Sequence, residues 1–191
     1  MEAFATRREV TQVLHREALA VLRSSPFARL CTDVLNTEPM PNWKLATAAV
    51  ALASALKKDA DWVSSENVGL LVPPSIAGVS LNLGALLAGR VPVNLNYTTS
   101  RAVMEQTCQL AGIRLIVSSR QFVEKAGLEL PQGIRVVYLE DLRTQITGGD
   151  RRNAMLAAML MPVGRLERWL GRAKPAALDD TATLIFSSGS T

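Results

Sequence analysis

Two rhythms of apolar residues run along the chain. Between residues 5 and 24, Val10, Val13, Leu14, Val21 and Leu22 recur at helical spacing, and Pro26 closes the segment. A connector carrying Pro26, Pro39 and Pro41 follows. WKLATAAVALASALKK then predicts a second helix, which Asn42 can cap and which ends on Lys57 and Lys58, cations suited to a helix C-terminus. From Val68 the pattern becomes strand, helix, strand. Short apolar runs at Val68 to Val72, VPVNLN, RLIVSS and RVVYLEDL predict strands. Between them lie a helix from about Ile76 to Ala88, one capped by Thr99 or Ser100 and stopped by Gly112, and the short SRQFVEKAG. Strands separated by helices of roughly 10 to 15 residues imply parallel pairing through crossover connections. The expected fold is α/β, a parallel sheet covered by helices on both faces.

Two stretches complicate this pattern. NVGLLVPPSIAGVSLNLGALLAG, between Glu66 and Arg90, has no charge and is long enough to cross a bilayer. Pro73 and Pro74 remove backbone donors that a helix needs, and Asn82 and the glycines weaken a span further. A buried strand, a Pro-Pro-Ser turn and a buried helix is the better reading. The segment from Leu142 to Ala177 instead mixes arginines with Met, Leu and Trp169. Either it packs its apolar side on the sheet with the arginines solvated, or Arg151, Arg152, Arg165, Arg168 and Arg172 meet an anionic membrane surface. Pro162 and Gly164 split it into two short helices.

Composition narrows the function classes. With 48% hydrophobic and 5% aromatic residues, the 191-residue chain suits helices packed on a sheet rather than an all-β sandwich. A net charge of +4 is no nucleic-acid signature. Cys31 and Cys108 make neither a disulfide framework nor a metal cluster and fit reduced thiols in the cytoplasm, with association to an inner membrane as the variant. The opening MEAFATRREVTQVLHREA is neither a secretory signal nor an anchor.

Individual residues mostly attract structural readings. His15, the single histidine, is expected on the polar side of its helix. Asn94, Asn96 and Tyr97 are expected in turns and caps. Cys108 reads as a small core residue, and Trp43, Trp62 and Trp169 as packing. Glu140 and Asp141, adjacent on a strand end, face opposite ways and make a poor acid–base pair.

The chemistry concentrates in the tail, DDTATLIFSSGST. ATLIF predicts a short strand, and Ser187, Ser188, Gly189, Ser190 and Thr191 follow it. Such a loop can wrap backbone N–H groups and hydroxyls around phosphate oxygens, with Gly189 permitting close approach. An ordinary linker has the same composition, and the Walker pattern is absent.

In context, this run resembles the opening of the signature of adenylate-forming (AMP-binding) enzymes, in which a strand leads into Ser/Thr-Ser/Thr-Gly-Ser/Thr-Thr and then Gly-x-Pro-Lys-Gly. ENVGLLVPPSIAGVSLNLGALLAGRVPVNLNYTTS and AGIRLIVSSRQFVEK are similar to further stretches of that family. VPVNLNYTTS, YLEDLR and the basic insert most resemble the acyl-acyl-carrier-protein synthetase module of bifunctional 2-acylglycerophosphoethanolamine acyltransferases. The resemblance covers residues 42 to 191, an incomplete N-terminal portion of an adenylation domain, and leaves residues 1 to 41 as a helical connector. It implies ATP- and Mg²⁺-dependent activation of a fatty acid to acyl-adenylate and pyrophosphate, then transfer to acyl carrier protein or CoA. A ligase for another carboxylic acid, or a non-catalytic α/β module binding a membrane or partner, are the alternatives. The motif's lysine-bearing half falls beyond Thr191, so this stretch alone is expected to be inactive and no catalytic residue is assigned. The His-x4-Asp acyltransferase motif is not found at His15, where Ala20 takes the acidic place.

Overall fold

The computed structural model describes residues 12–29, 31 and 38–186. Helix α1 (Leu14–Ser24) is the described part of the first predicted helix. Helix α2 (Asn42–Leu56) follows the connector, and the one-turn-plus α3 (Ala60–Ser64) is capped by Asp59, whose carboxylate accepts from the N–H groups of Asp61 and Trp62. Strand β1 (Asn67–Leu71), helix α4 (Ile76–Leu87), strand β2 (Val91–Asn94), helix α5 (Arg101–Leu110), strand β3 (Leu115–Ser118), helix α6 (Arg120–Ala126) and strand β4 (Arg135–Tyr138) form the alternating body. Helices α7 (Leu139–Gln145), α8 (Gly148–Leu160) and α9 (Val163–Leu170) complete it.

The strands pair in parallel in the order β2-β1-β3-β4. Period-two alternation sorts their side chains onto two cores. Val68, Leu70, Leu115 and Val117 face a large cluster built with α1, α2, α4, α8 and α9, whereas Leu71, Val93 and Ile116 face a smaller one built with Met104 and Cys108 of α5. The crossover from β1 to β2 thus runs over one face and that from β2 to β3 over the other, as a doubly wound sheet requires.

Helix α2 is apolar almost all round because it is covered on several sides; it packs against α4 and α8, with α1, α7 and α9 adding contacts. Its Ala-rich surface lets neighbours approach closely. A Cβ at Gly84 of α4 would lie 2.6 Å from the Ala49 carbonyl oxygen, so α4 sits backbone-close on α2 only because position 84 carries no side chain.

Four expectations need correction. Asn42 is the first residue of α2 rather than its cap; fully buried, it donates its side-chain amide to the Ser25 carbonyl at 2.9 Å and ties the connector down. RVVYLEDL is strand only to Tyr138, because Glu140 and Asp141 fill the first turn of α7, where carboxylates complement the helix dipole. Helices α8 and α9 do split at Pro162, but α8 packs on α2 rather than on the sheet. ATLIF makes no full strand: Leu184 alone forms a bridge, parallel, with Val93. No helix among the described residues is long and apolar enough to cross a membrane.

Candidate functional site

In an open parallel sheet, ligands gather beyond the carboxyl ends of the strands. There β1 runs into Val72-Pro73-Pro74-Ser75, and Ser75 caps α4 by accepting from the Gly78 N–H. Strand β2 runs into Leu95-Asn96-Tyr97, and the Ser118 hydroxyl at the end of β3 donates to the Leu71 carbonyl at 2.7 Å, tying two strand ends together. A cleft of about 590 Å³ lies at this end, lined by Leu70, Pro73, Leu83, Leu95 and other apolar groups, with Ser75, Asn82, Asn94 and Tyr97 among them. A larger cleft, about 750 Å³, includes Glu66 and Arg90 at the amino ends of β1 and β2, the wrong end for a strand-end ligand.

The polar groups of the first cleft are held firmly. Asn82 of α4 and Asn94 of β2 exchange reciprocal amide hydrogen bonds at 3.0 Å, and Asn82 also donates to the Gly78 carbonyl. The Asn96 side chain accepts from the N–H and hydroxyl of Thr98, a turn role, and Ser100 caps α5 by accepting from the Val103 N–H. Tyr97 meets Phe122 of α6 edge to face, centroids 5.2 Å apart. Asn96 and Tyr97 sit in a turn and Ser100 in a cap as the sequence suggests, but Asn94 does not: it ends strand β2, where its amide is taken by Asn82. Asn82 is the one missed; its signal was a carboxamide alone in an apolar helix, facing a strand that ends in another.

A second set frames the next strand end. Glu140 accepts from the Ser119 hydroxyl at 2.8 Å and from the Arg120 and Gln121 N–H groups, while Arg120 makes a bidentate pair with Asp141 and stacks 4.4 Å over Tyr138. Burial works to raise the Glu140 pKa, but the hydrogen bonds outweigh it and hold the carboxyl below its ordinary range. Both acids are therefore structural, and they sit on a helix rather than a strand end.

The tail approaches from the side of β2. The Thr183 hydroxyl donates to the Pro92 carbonyl at 2.8 Å, and Leu184 pairs with Val93 in the parallel sense. The chain therefore travels with β2, toward the end that holds Asn94 and Asn96. Ser187, Ser188, Gly189, Ser190 and Thr191, the expected phosphate-binding residues, lie outside the described residues.

The expected membrane-facing arginines separate into two groups. Arg151, Arg152, Arg165 and Arg168 are exposed. Arg172 is not available: its side chain, 11% exposed, donates to the carbonyls of Leu86 and Lys174 at 3.0 Å and pairs with Asp180. His15 also departs from expectation. It is buried, not on a polar side, with its Nε2 2.9 Å from Glu167. Arg16 closes a bidentate pair on the same carboxylate at 2.8 and 2.7 Å. This shared partner of His15 and Arg16 was not foreseeable, because Glu167 is some 150 residues away and its own segment reads as surface.

The match to known proteins fits this geometry. Residues 44–191 match the model of the AMP-binding enzyme family, and the chain belongs to that family. Its fold is shared by VinN, whose complex with 3-methylaspartate superposes with a TM-score of 0.63 at 19% identity over 93% of this chain and 45% of that one. The N-terminal domain of FACL13 from Mycobacterium tuberculosis gives 0.61 at 17% identity, covering 91% and 40%. The nonribosomal peptide synthetase FmoA3, crystallised with α-methyl-L-serine-AMP, gives 0.59 at 20% over 71% of this chain and 15% of its own. The chain thus spans less than half the length of each.

Proposed function

We propose that the chain is the leading portion of an ATP-dependent acid–thiol ligase that activates a fatty acid and passes the acyl group to acyl carrier protein or CoA. One observation supports the reading: Leu184 pairs with Val93 in the parallel sense, so the chain at 184 runs toward the carboxyl end of the sheet just before the hydroxyl-rich residues follow in sequence. There Ser187, Ser188, Gly189, Ser190 and Thr191 hold ATP phosphates through backbone N–H and hydroxyl donors. A carboxylate oxygen of the substrate attacks the α-phosphorus, the bond to pyrophosphate breaks, and the loop stabilises the charge that collects on the leaving group. Among the described residues no group of three or more His, Cys, Asp or Glu could hold a metal. Mg²⁺ would arrive with ATP on its phosphates, a site that it commonly shares with one or two carboxylates, and would add to the charge neutralisation there.

Support for a fatty acid comes from the likeness of VPVNLNYTTS and the basic insert to acyl-acyl-carrier-protein synthetases. Amino acids are the competing class, favoured by the ligands in the VinN and FmoA3 structures. ATP–pyrophosphate exchange on the full-length protein decides between them. Exchange with fatty acids is expected; exchange with amino or aromatic acids alone would transfer the assignment, and none with any acid would overturn it.

A second reading concerns location: a cytoplasmic protein in peripheral contact with an anionic membrane surface. Leu156, Leu160 and Trp169 are exposed on the same two helices as Arg151, Arg152, Arg165 and Arg168.

A further inference from the structure

Between α9 and the tail the chain makes a short detour that one side chain closes. Gly171 ends α9 in the left-handed region at φ 104°, and the Arg172 side chain reaches the end of α4. Its guanidinium donates to the Leu86 carbonyl near the end of α4 at 3.0 Å, to the Lys174 carbonyl at 3.0 Å, and to the Asp180 carboxylate. Asp180 also accepts from the Ala177 N–H at 3.0 Å. The aliphatic stem lies on the turn at Gly89, where a Cβ would come within 2.8 Å of the Arg172 Cγ; φ at Gly89 is +73°. Position 89 therefore needs glycine both for its backbone and for this contact.

The base from which Arg172 projects is itself fixed. Glu167, one turn earlier, is 2% exposed and held by His15 and Arg16 of α1. The far side of the clamp is equally close to the tail: three residues after Asp180, the Thr183 hydroxyl reaches Pro92, and Leu184 then pairs with Val93. Two of the three groups that Arg172 binds belong to its own detour, while Leu86 belongs to the rigid framework. One planar cation with several fixed donors thus locks a loop to a helix end in a way that a point charge cannot.

We infer that Arg172 is a positioning residue: by clamping Asp180 to the end of α4 it sets where the segment 181–184 meets β2, and so the point from which the proposed phosphate-binding residues follow in the chain. This rests on the nucleotide reading of residues 187–191 proposed above. It assigns to the end of the basic insert a role in ATP binding rather than in surface contact. Arg172 acts through the backbone and touches no substrate.

The test uses the full-length protein and two readouts. In ATP–pyrophosphate exchange, R172A and D180A are expected to raise the KM for ATP roughly ten-fold, equivalent to about 1.4 kcal/mol, with kcat much less changed. R172A/D180A together should be little worse than R172A alone, since each single change already breaks the Arg172–Asp180 pair. R172K should recover part of the loss. In hydrogen exchange, R172A should speed the amides of residues 177–184 and leave those of α4 protected, a result independent of activity. An unchanged KM for ATP together with unchanged exchange at 177–184 would overturn the role. So would equal acceleration throughout α4, which would mean general destabilisation. A wild-type protein that shows no ATP-dependent exchange overturns the nucleotide reading instead, and the amide data then judge the clamp alone.

Discussion

The Nε2 of His15 lies 2.9 Å from Oε1 of Glu167, both side chains almost wholly removed from water, joining α1 to α9 across about 150 residues. Burial lowers the His15 pKa despite the pull of the carboxylate, so the ring is neutral near pH 7 and its Nε2–H donates. For Glu167 burial acts upward, but hydrogen bonds from Arg16 and His15 outweigh it and keep the pKa low.

Acid should therefore loosen this junction. With a folded His15 pKa below its ordinary 6.5, the unfolded chain binds the extra proton first, and stability falls as pH drops through 6.5, levelling off below the folded value. Glu167 contributes stability present above its ordinary 4.5 and lost as pH falls through its lowered pKa. Urea midpoints from pH 7.5 to 5 should decline, and H15Q should flatten the upper part of that decline. E167A should cost about 2–3 kcal/mol at pH 7.5, since it strands hydrogen-bonded charge.

Gly84→Ala should test the closeness of α4 and α2. The added Cβ meets the Ala49 carbonyl at 2.6 Å, too near for any rotamer to relieve. A loss of about 1–3 kcal/mol is expected from overpacking, read from denaturant unfolding; an unchanged midpoint would mean that the helices part freely.

Cysteine labelling should divide the two thiols. Cys108 is 1% exposed, and burial, helped by Glu105, pushes its pKa up to about 11. Only the thiolate reacts readily, so Cys108 should resist iodoacetamide at pH 8 until the protein unfolds, whereas the half-buried Cys31 should be modified sooner. Mass spectrometry of the labelled peptides checks this order.

Membrane contact through the exposed arginines should be electrostatic. Each basic residue near an anionic surface contributes about 1 kcal/mol, screened by salt. Vesicles rich in anionic lipid should bind the protein at low salt and release it at high salt, and R152E/R165E/R168E should abolish binding. R172E belongs in a different experiment, because Arg172 is engaged inside the fold. Binding that persists in high salt would instead point to insertion of Leu160 and its neighbours.

Much of the body was legible in the residues because its signals are local. The apolar runs at 68–72 and 114–119, the Ser100 cap and the Gly112 stop each act within one or two turns, and the structure places them as expected, while Ser75, Ser119 and Gly127 add caps of the same local kind. Parallel pairing and helices on both faces follow from strands alternating with helices, whereas the order β2-β1-β3-β4 comes from the structure. The tail's motif was equally readable as sequence, and the family match covers it.

Long-range partners were not legible, for a physical reason. A charged residue with the period of a surface helix is indistinguishable in sequence from one that finds a buried counter-charge, since burial depends on what the rest of the chain brings against it. Glu167 and Arg172 look alike as members of a basic insert, yet tertiary packing gave the first to His15 and Arg16 and the second to Leu86 and Asp180. Asn42 likewise offered a cap by its residue type, and the approach of the connector turned it inward to Ser25. Residue order alone determined the alternating sheet, its caps and the presence of a hydroxyl-rich tail. The tertiary structure alone decided which charges were surface and which were clamps, because desolvation and pairing exist only once distant segments meet.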